Sequence, residues 1–197
     1  GLTRATICGR ESDQVILRKL TFTNVGGTAI RFPTDGAYEL SHRIGTVRID
    51  SVVINGTTLP TSFTEAGGIR VFHTDSVFIT NSTIKNIRTN GITIGRNSSN
   101  YQNNQRVNYL EIIGNEIDSV LGDGILSQEN VLNAIVRANT ISHIAYDGRG
   151  DKFQNGDHAI YWQSAGGVLE GNLIHDVLDG TVSGDSGSGI SVRTNAY

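Results

Sequence analysis

A six-fold internal repeat restricts the fold of this chain more than any other feature. A segment opening on a small residue and then isoleucine recurs as "TAIRF", "GGIRVF", "NGITIG", "DGILSQ", "HAIYWQ" and "SGISVR", with key residues Ile30, Ile69, Ile92, Ile125, Ile160 and Ile190. Ahead of each stands a second alternating segment: "LRKLTFTNV", "VRIDSVVING", "VFITNSTIKNI", "LEIIGNEIDSV", "AIVRANTISHI" and "GVLEGNLIHDV". The intervals between copies are unequal, which suits stacked units that share one core and differ in loop length. Strands this short, recurring without helical periodicity, read as a parallel β-helix. The Asn90-Gly91 and Asp123-Gly124 pairs fall at one phase of the repeat and do not join alternating strands as hairpin turns would. The expected architecture is all-β, a right-handed parallel β-helix (a single-stranded solenoid) of about six coils, with residues 1–197 as one domain. Right-handedness follows from the general preference of parallel crossovers.

The repeat also carries a polar column. Ser51, Ser82, Asn115, Asn139 and Asn172 each precede an apolar residue by two positions. One such residue per coil is the pattern of a stacked side-chain ladder at a repeated turn, where asparagine tolerates left-handed backbone and bonds to the coil above.

Composition excludes several function classes. Sixteen Lys and Arg against nineteen Asp and Glu give a net charge of −3, and the basic residues are scattered, so no nucleic-acid footprint is present. The single cysteine, Cys8, excludes an internal disulfide, and no Cys/His spacing of the zinc type occurs. No apolar run is long enough to cross a bilayer as a helix, so no membrane partner is expected. The chain has no signal peptide and no methionine, which points to processing or to a piece of something longer. It begins near a strand, "GLTRATICG", and ends in one, "GISVRTNAY". Ends of that kind lack terminal caps and imply self-association, or continuation into the remainder of a longer chain, through open solenoid ends.

On these residues the chain resembles the right-handed parallel β-helix superfamily of pectate lyases, alginate lyases and uronan epimerases. The resemblance covers nearly the whole chain and implies a carbohydrate-active protein, secreted or periplasmic, whose partner is an acidic polysaccharide. It specifies fold far better than chemistry.

In a strand whose isoleucine points inward, the next residue points outward. The residues after each repeat isoleucine are Arg31, Arg70, Thr93, Leu126, Tyr161 and Ser191, and three positions after it stand Pro33, Phe72, Gly95, Gln128, Gln163 and Arg193. Flanked by long loops, this face is a candidate groove, with Arg70, Arg193, Gln163, Gln128 and Lys152 as substrate-binding residues. Stacking places Asp123 about 4.8 Å from His158, within reach of a carboxylate–imidazole hydrogen bond. Tyr161 lies three residues on, roughly 10 Å by extended rise, which leaves room for a sugar between the two. A lyase or epimerase needs a base, an acid and a cation to neutralise the substrate carboxylate. His158, Tyr161 and Arg193 or Arg70 fit those roles.

Strict alternation turns His158 toward the core with Ile160 unless the turn at Gly156-Asp157 changes the phase. The structural alternative for His158 is a turn histidine bonded to backbone. Trp162 shares the inward phase of Phe32, Val71, Ile94 and Val192 and reads as core. Tyr161 reads as outward, whether as a catalytic acid, a sugar platform or a solvent-facing aromatic.

Alginate epimerases carry Asp-Pro-His with a tyrosine upstream. Asp157-His158 adjoin here without the proline, so the resemblance marks both as catalytic candidates and leaves the tyrosine open between Tyr146 and Tyr161. The pectate-lyase arginine motif and the paired aspartates of polygalacturonases are not seen. The loop "YDGRGDKFQNGD" holds Asp147, Asp151, Lys152 and Asp157. It meets no calcium-loop spacing and reads as a solvated polar loop, which leaves calcium only an open question as cofactor. A glycoside hydrolase pairing Asp123 with Asp157 or Asp151 is the second enzyme reading, and a non-catalytic solenoid for glycan binding or structure is the third.

Overall fold

The computed structural model describes residues 14–32, 44–57, 67–95, 106–128, 131–145, 158–164, 166–178 and 188–193, which form eighteen strands and, among these residues, no helix. The strands come in triplets. The first is β1 (Gln14–Arg18), β2 (Thr21–Val25) and β3 (Ile30–Phe32), and the second is β4 (Ile44–Asp50), β5 (Val53–Thr57) and β6 (Ile69–Val71). Next come β7 (Thr74–Thr80), β8 (Thr83–Ile87) and β9 (Ile92–Ile94), then β10 (Val107–Ile113), β11 (Glu116–Val120) and β12 (Ile125–Ser127). The last two are β13 (Val131–Arg137), β14 (Thr140–Ile144) and β15 (His158–Trp162), and β16 (Val168–Glu170), β17 (Leu173–Val177) and β18 (Ser188–Val192).

Each member of a triplet pairs in parallel with the same member of the next, giving three six-stranded sheets: β1-β4-β7-β10-β13-β16, β2-β5-β8-β11-β14-β17 and β3-β6-β9-β12-β15-β18. Parallel neighbours need a crossover, and the other two strands of each turn supply it. The chain is a parallel β-solenoid.

The repeat isoleucines stand in one line: Ile30, Ile69, Ile92, Ile125, Ile160 and Ile190 are mutual partners along the third sheet. The first five of them, with Ile54, Ile84, Ile117 and Ile141 of the second sheet and Val47, Val77, Leu110 and Ala134 of the first, make one continuous core, while Ile190 at the end of the row is exposed. Each fully buried isoleucine contributes about 1.5–3 kcal/mol by leaving water. Trp162 belongs to this core, as its phase predicted.

The glycines ahead of Ile69, Ile92 and Ile125 are a steric requirement. A methyl at Gly91 would stand 2.7 Å from Gly124 O and 2.9 Å from Ile117 Cγ2, and one at Gly124 would stand 2.7 Å from Ala159 O and 2.8 Å from Ile141 Cγ2. At these positions the third sheet meets the second so closely that even the methyl of alanine clashes.

Left-handed residues make the corners. Lys19, Ser51, Asn81, Gly114, Ala138 and Gly171, with φ between 50° and 67°, turn the chain from the first sheet into the second. In the last four turns the next residue carries the polar ladder. Ser82 N donates to Asn115 Oδ1 (3.0 Å), Asn115 N to Asn139 Oδ1 (2.9 Å) and Asn139 N to Asn172 Oδ1 (3.0 Å). Ser51 is a correction to the expected column. It holds the left-handed corner itself, and Val52 takes the ladder position, its N–H donating to Ser82 Oγ (3.1 Å). The spacing misleads because Val53 is exposed and Ile54 is the inward residue.

A second left-handed column, which no sequence pattern announced, lies within the second sheet at Asn24, Gly56, Asn86, Ser119, His143 and Asp176. It resets the inward phase, so the residues on either side of it in β8, Ile84 and Ile87, both reach the core.

Candidate functional site

The turn into the third sheet carries its own hydrogen-bond ladder, in which a side chain accepts the backbone N–H of the next turn. Thr28 Oγ1 accepts from Gly67 N (3.4 Å), Asn90 Oδ1 from Asp123 N (3.0 Å) and Asp123 Oδ1 from His158 N (2.9 Å). His158 continues the series through its ring: Nδ1 accepts from Ser188 N (3.2 Å) and lies 2.9 Å from Ser188 Oγ. A nitrogen that accepts a backbone N–H is unprotonated, so in the neutral ring the proton sits on Nε2.

Two candidate catalytic residues are therefore adjacent in space, as stacking predicted. The contact observed between them runs from the Asp123 carboxylate to the His158 backbone.

The phase difficulty at His158 resolves three residues further along than expected. Ala159 and Ile160 both belong to the core, so alternation breaks between them and the His158 ring meets Tyr161. The ring centroids are 5.1 Å apart at an interplanar angle of 37°. This corrects the separation of roughly 10 Å drawn from strand rise, which measures backbone positions and ignores the lean of two large side chains toward one another.

Tyr161 gathers the remaining residues of this end of the groove. Its hydroxyl accepts Gln163 Nε2 (3.1 Å), and the Arg193 guanidinium carbon lies 5.3 Å from its ring centroid. His158 is buried, Tyr161 and Gln163 are half-buried and Arg193 is exposed. The patch thus offers an aromatic face, a titratable ring, an amide and a guanidinium together.

Arg70 and Gln128 stand farther along the same sheet. Arg70 follows Arg31 and precedes Thr93, Leu126 and Tyr161 in one row of strand partners, which sets it about 14 Å from Tyr161 at three strand spacings. Its guanidinium carbon is 5.5 Å from the Phe72 ring. Gln128 N donates to Ile94 O, as Gln163 N donates to Ser127 O one strand on. Asp157 and Lys152 lie outside the described residues, as do Tyr146, Asp147 and Asp151.

A second titratable cluster escaped sequence reasoning. On the outer face of the second sheet, Asp118 Oδ1 lies 2.7 Å from His143 Nδ1, His143 Nε2 lies 3.9 Å from Asp176 Oδ2, and Asp176 Oδ2 lies 2.7 Å from His175 Nδ1. Burial alone pushes the Asp118 carboxyl up, but hydrogen bonds from His143, Ser142 and Ser119 outweigh it and hold the group below its ordinary value. The His175 hydrogen bond lowers Asp176 in the same direction. The only available signal was an acid or histidine recurring beside the left-handed column, and that column was itself invisible in the sequence.

Among the described residues, no group of three or more His, Cys, Asp or Glu is placed to hold a metal ion. None of them forms a helix long and apolar enough to cross a membrane. Comparison of the chain with protein-family models, with curated proteins and with solved structures finds no match.

Proposed function

We propose that this protein is a carbohydrate-active β-helix, a lyase or epimerase acting on an acidic, uronate-containing polysaccharide outside the cytoplasm. On this reading it is a relative in kind of the right-handed pectate-lyase-like solenoids. The observation that carries it is the single patch of His158, Tyr161, Gln163 and Arg193, with the two aromatic rings 5.1 Å apart. Arg193 pairs with the substrate carboxylate and makes the adjacent carbon acid enough to lose its proton. His158 Nδ1, the unprotonated ring nitrogen, is the base, and it takes that proton only by releasing Ser188. The Tyr161 hydroxyl, held by Gln163, delivers a proton to the leaving oxygen, or in an epimerase to the opposite face of the carbon. Arg70 extends the anionic track along the sheet.

The deciding experiment incubates the protein with polygalacturonate and with alginate, following unsaturated uronate by ultraviolet absorbance and epimerised residues by proton NMR. Turnover that disappears in His158→Asn, with the fold intact, supports the reading. Equal turnover in that variant sinks it.

One observation favours a second reading, a non-catalytic solenoid for glycan binding or structure. Asp123 and His158 both use a side-chain atom to tie one turn to the next. Polymer binding without any product on the same substrates selects this alternative.

A further inference from the structure

We propose that His158 is an acid-labile rung of the third-sheet ladder, so that protonation of its ring frees β18 and withdraws Arg193 from Tyr161. The withdrawal of Arg193 bears on activity only if the function proposed above holds. The release of β18 does not depend on it.

Four equivalent positions of this ladder differ in the chemistry of their acceptors. Thr28 Oγ1 and Asn90 Oδ1 accept the backbone N–H of the next turn through oxygens that do not titrate. Asp123 Oδ1 accepts as long as the carboxylate is ionised. His158 alone among them accepts through a ring nitrogen, an atom that can itself take up a proton. Its Nδ1 takes Ser188 N–H at 3.2 Å, and Ser188 is the first residue of β18. A proton from bulk solvent, once on Nδ1, turns that acceptor into a donor and sets N–H against N–H. The rung is thus intact while Nδ1 is unprotonated and lost once Nδ1 carries a proton.

Groups around the ring allow this protonation. On the β12 side, the Asp123 carboxylate lies against the His158 backbone and supplies negative charge to an imidazolium. On its own strand the neighbour is the Tyr161 ring. From the β18 side come Ser188 and, beyond Tyr161, the Arg193 guanidinium, the one cation there among the described residues and the group that opposes a second positive charge. Strands β14 and β17 also pack against β15. They turn Ile141, Ile144 and Ile174 to the core, while their titratable His143, His175 and Asp176 stand partly exposed on the outer face.

Within its sheet the strand at risk pairs with β15 alone. Ile190 and Val192 of β18 are exposed at 46% and 60%, whereas Ile160 and Trp162, their partners on β15, are buried. Arg193 directly follows β18, and its N–H bonds to Trp162 O (2.8 Å). Loss of the first rung therefore threatens the contact that holds Arg193 over Tyr161.

The test measures backbone amide exchange and Trp162 fluorescence at about pH 7.5 and about pH 5, in the wild type and in His158→Asn. In the wild type, the Ser188 amide and its β18 neighbours lose roughly tenfold or more of their protection at the lower pH, the effect of one hydrogen bond turned into a donor–donor contact. The amides of β7 to β12 keep theirs, and Trp162 emission shifts to the red. In His158→Asn the side-chain oxygen accepts at both pH values, as Asn90 does, and neither change occurs. Unchanged β18 protection in the wild type overturns the proposal without reference to any variant, and an equal pH response in His158→Asn overturns it too. Acid release of β18 with no turnover of any uronate polymer removes the proposed function and leaves the rung standing. Turnover with β18 equally protected at both pH values does the reverse.

Discussion

The Oδ1 atom of Asn139 lies 2.9 Å from both the backbone nitrogen and the Nδ2 of Asn115, so one side chain joins neighbouring turns of the solenoid twice. Its own Nδ2 donates to Ile112 O and to Asn172 Oδ1, each at 2.9 Å. Because the site is buried, water cannot replace a lost partner.

Asn139→Ala leaves the Asn115 N–H without its acceptor, leaves the Asn115 amide with Ile79 O alone, and strips Ile112 O of a donor. The expected loss is about 3 kcal/mol, from two or more buried groups left unsatisfied. Urea unfolding measures it. A midpoint within error of the wild type would mean that the ladder does not contribute to stability.

Gly91→Ala and Gly171→Ala separate two reasons for glycine. At Gly91 a methyl meets Gly124 O at 2.7 Å and Ile117 Cγ2 at 2.9 Å, and overpacking costs about 1–3 kcal/mol. At Gly171 nothing lies within 4 Å of a methyl, but φ is +61°, so the cost is only the left-handed penalty, about 1 kcal/mol. Thermal melts of the two variants should rank Gly171→Ala above Gly91→Ala, and the opposite order contradicts the close approach of the sheets.

Acid stability should depend on Asp118. Its folded value lies below the ordinary one because hydrogen bonds from His143, Ser142 and Ser119 overcome burial. A depressed carboxylate contributes stability that is fully present above the ordinary value of about 3.9 and is lost as pH falls through the folded value. Stability measured against pH in Asp118→Asn should show a flatter acid limb than the wild type. An acid limb of unchanged slope assigns the effect to other carboxylates.

Tyr161→Phe keeps the ring that His158 and Arg193 face and removes only the hydroxyl that accepts Gln163 Nε2. If the patch performs proton transfer, turnover of the uronate polymer falls by about 10²–10⁴-fold while affinity for the polymer, read by titration calorimetry, changes little. Full turnover in this variant moves the acid role to another residue.

The separation between what was legible and what was not runs through individual columns. Ile30 to Ile190 are readable because each third-sheet strand, from its isoleucine onward, keeps a two-residue alternation that contiguous sequence displays. Ser51 was misplaced by one position because Val53 imitates the inward residue Ile54. The Asp118, His143 and Asp176 cluster was hidden because a left-handed residue inside each second-sheet strand reverses the alternation, and residues of three different turns meet only after stacking.

The sequence by itself determined the solenoid, since a recurring small-Ile pattern with variable loops buries its apolar residues only by stacking turn upon turn. The tertiary structure alone decided the direction of the His158 ring. That direction depends on a phase break between two core residues, Ala159 and Ile160, and on a backbone N–H supplied by Ser188, thirty positions along the chain. Local alternation encodes which residues are apolar, whereas hydrogen-bond partners across turns are set by stacking register, which no contiguous stretch contains.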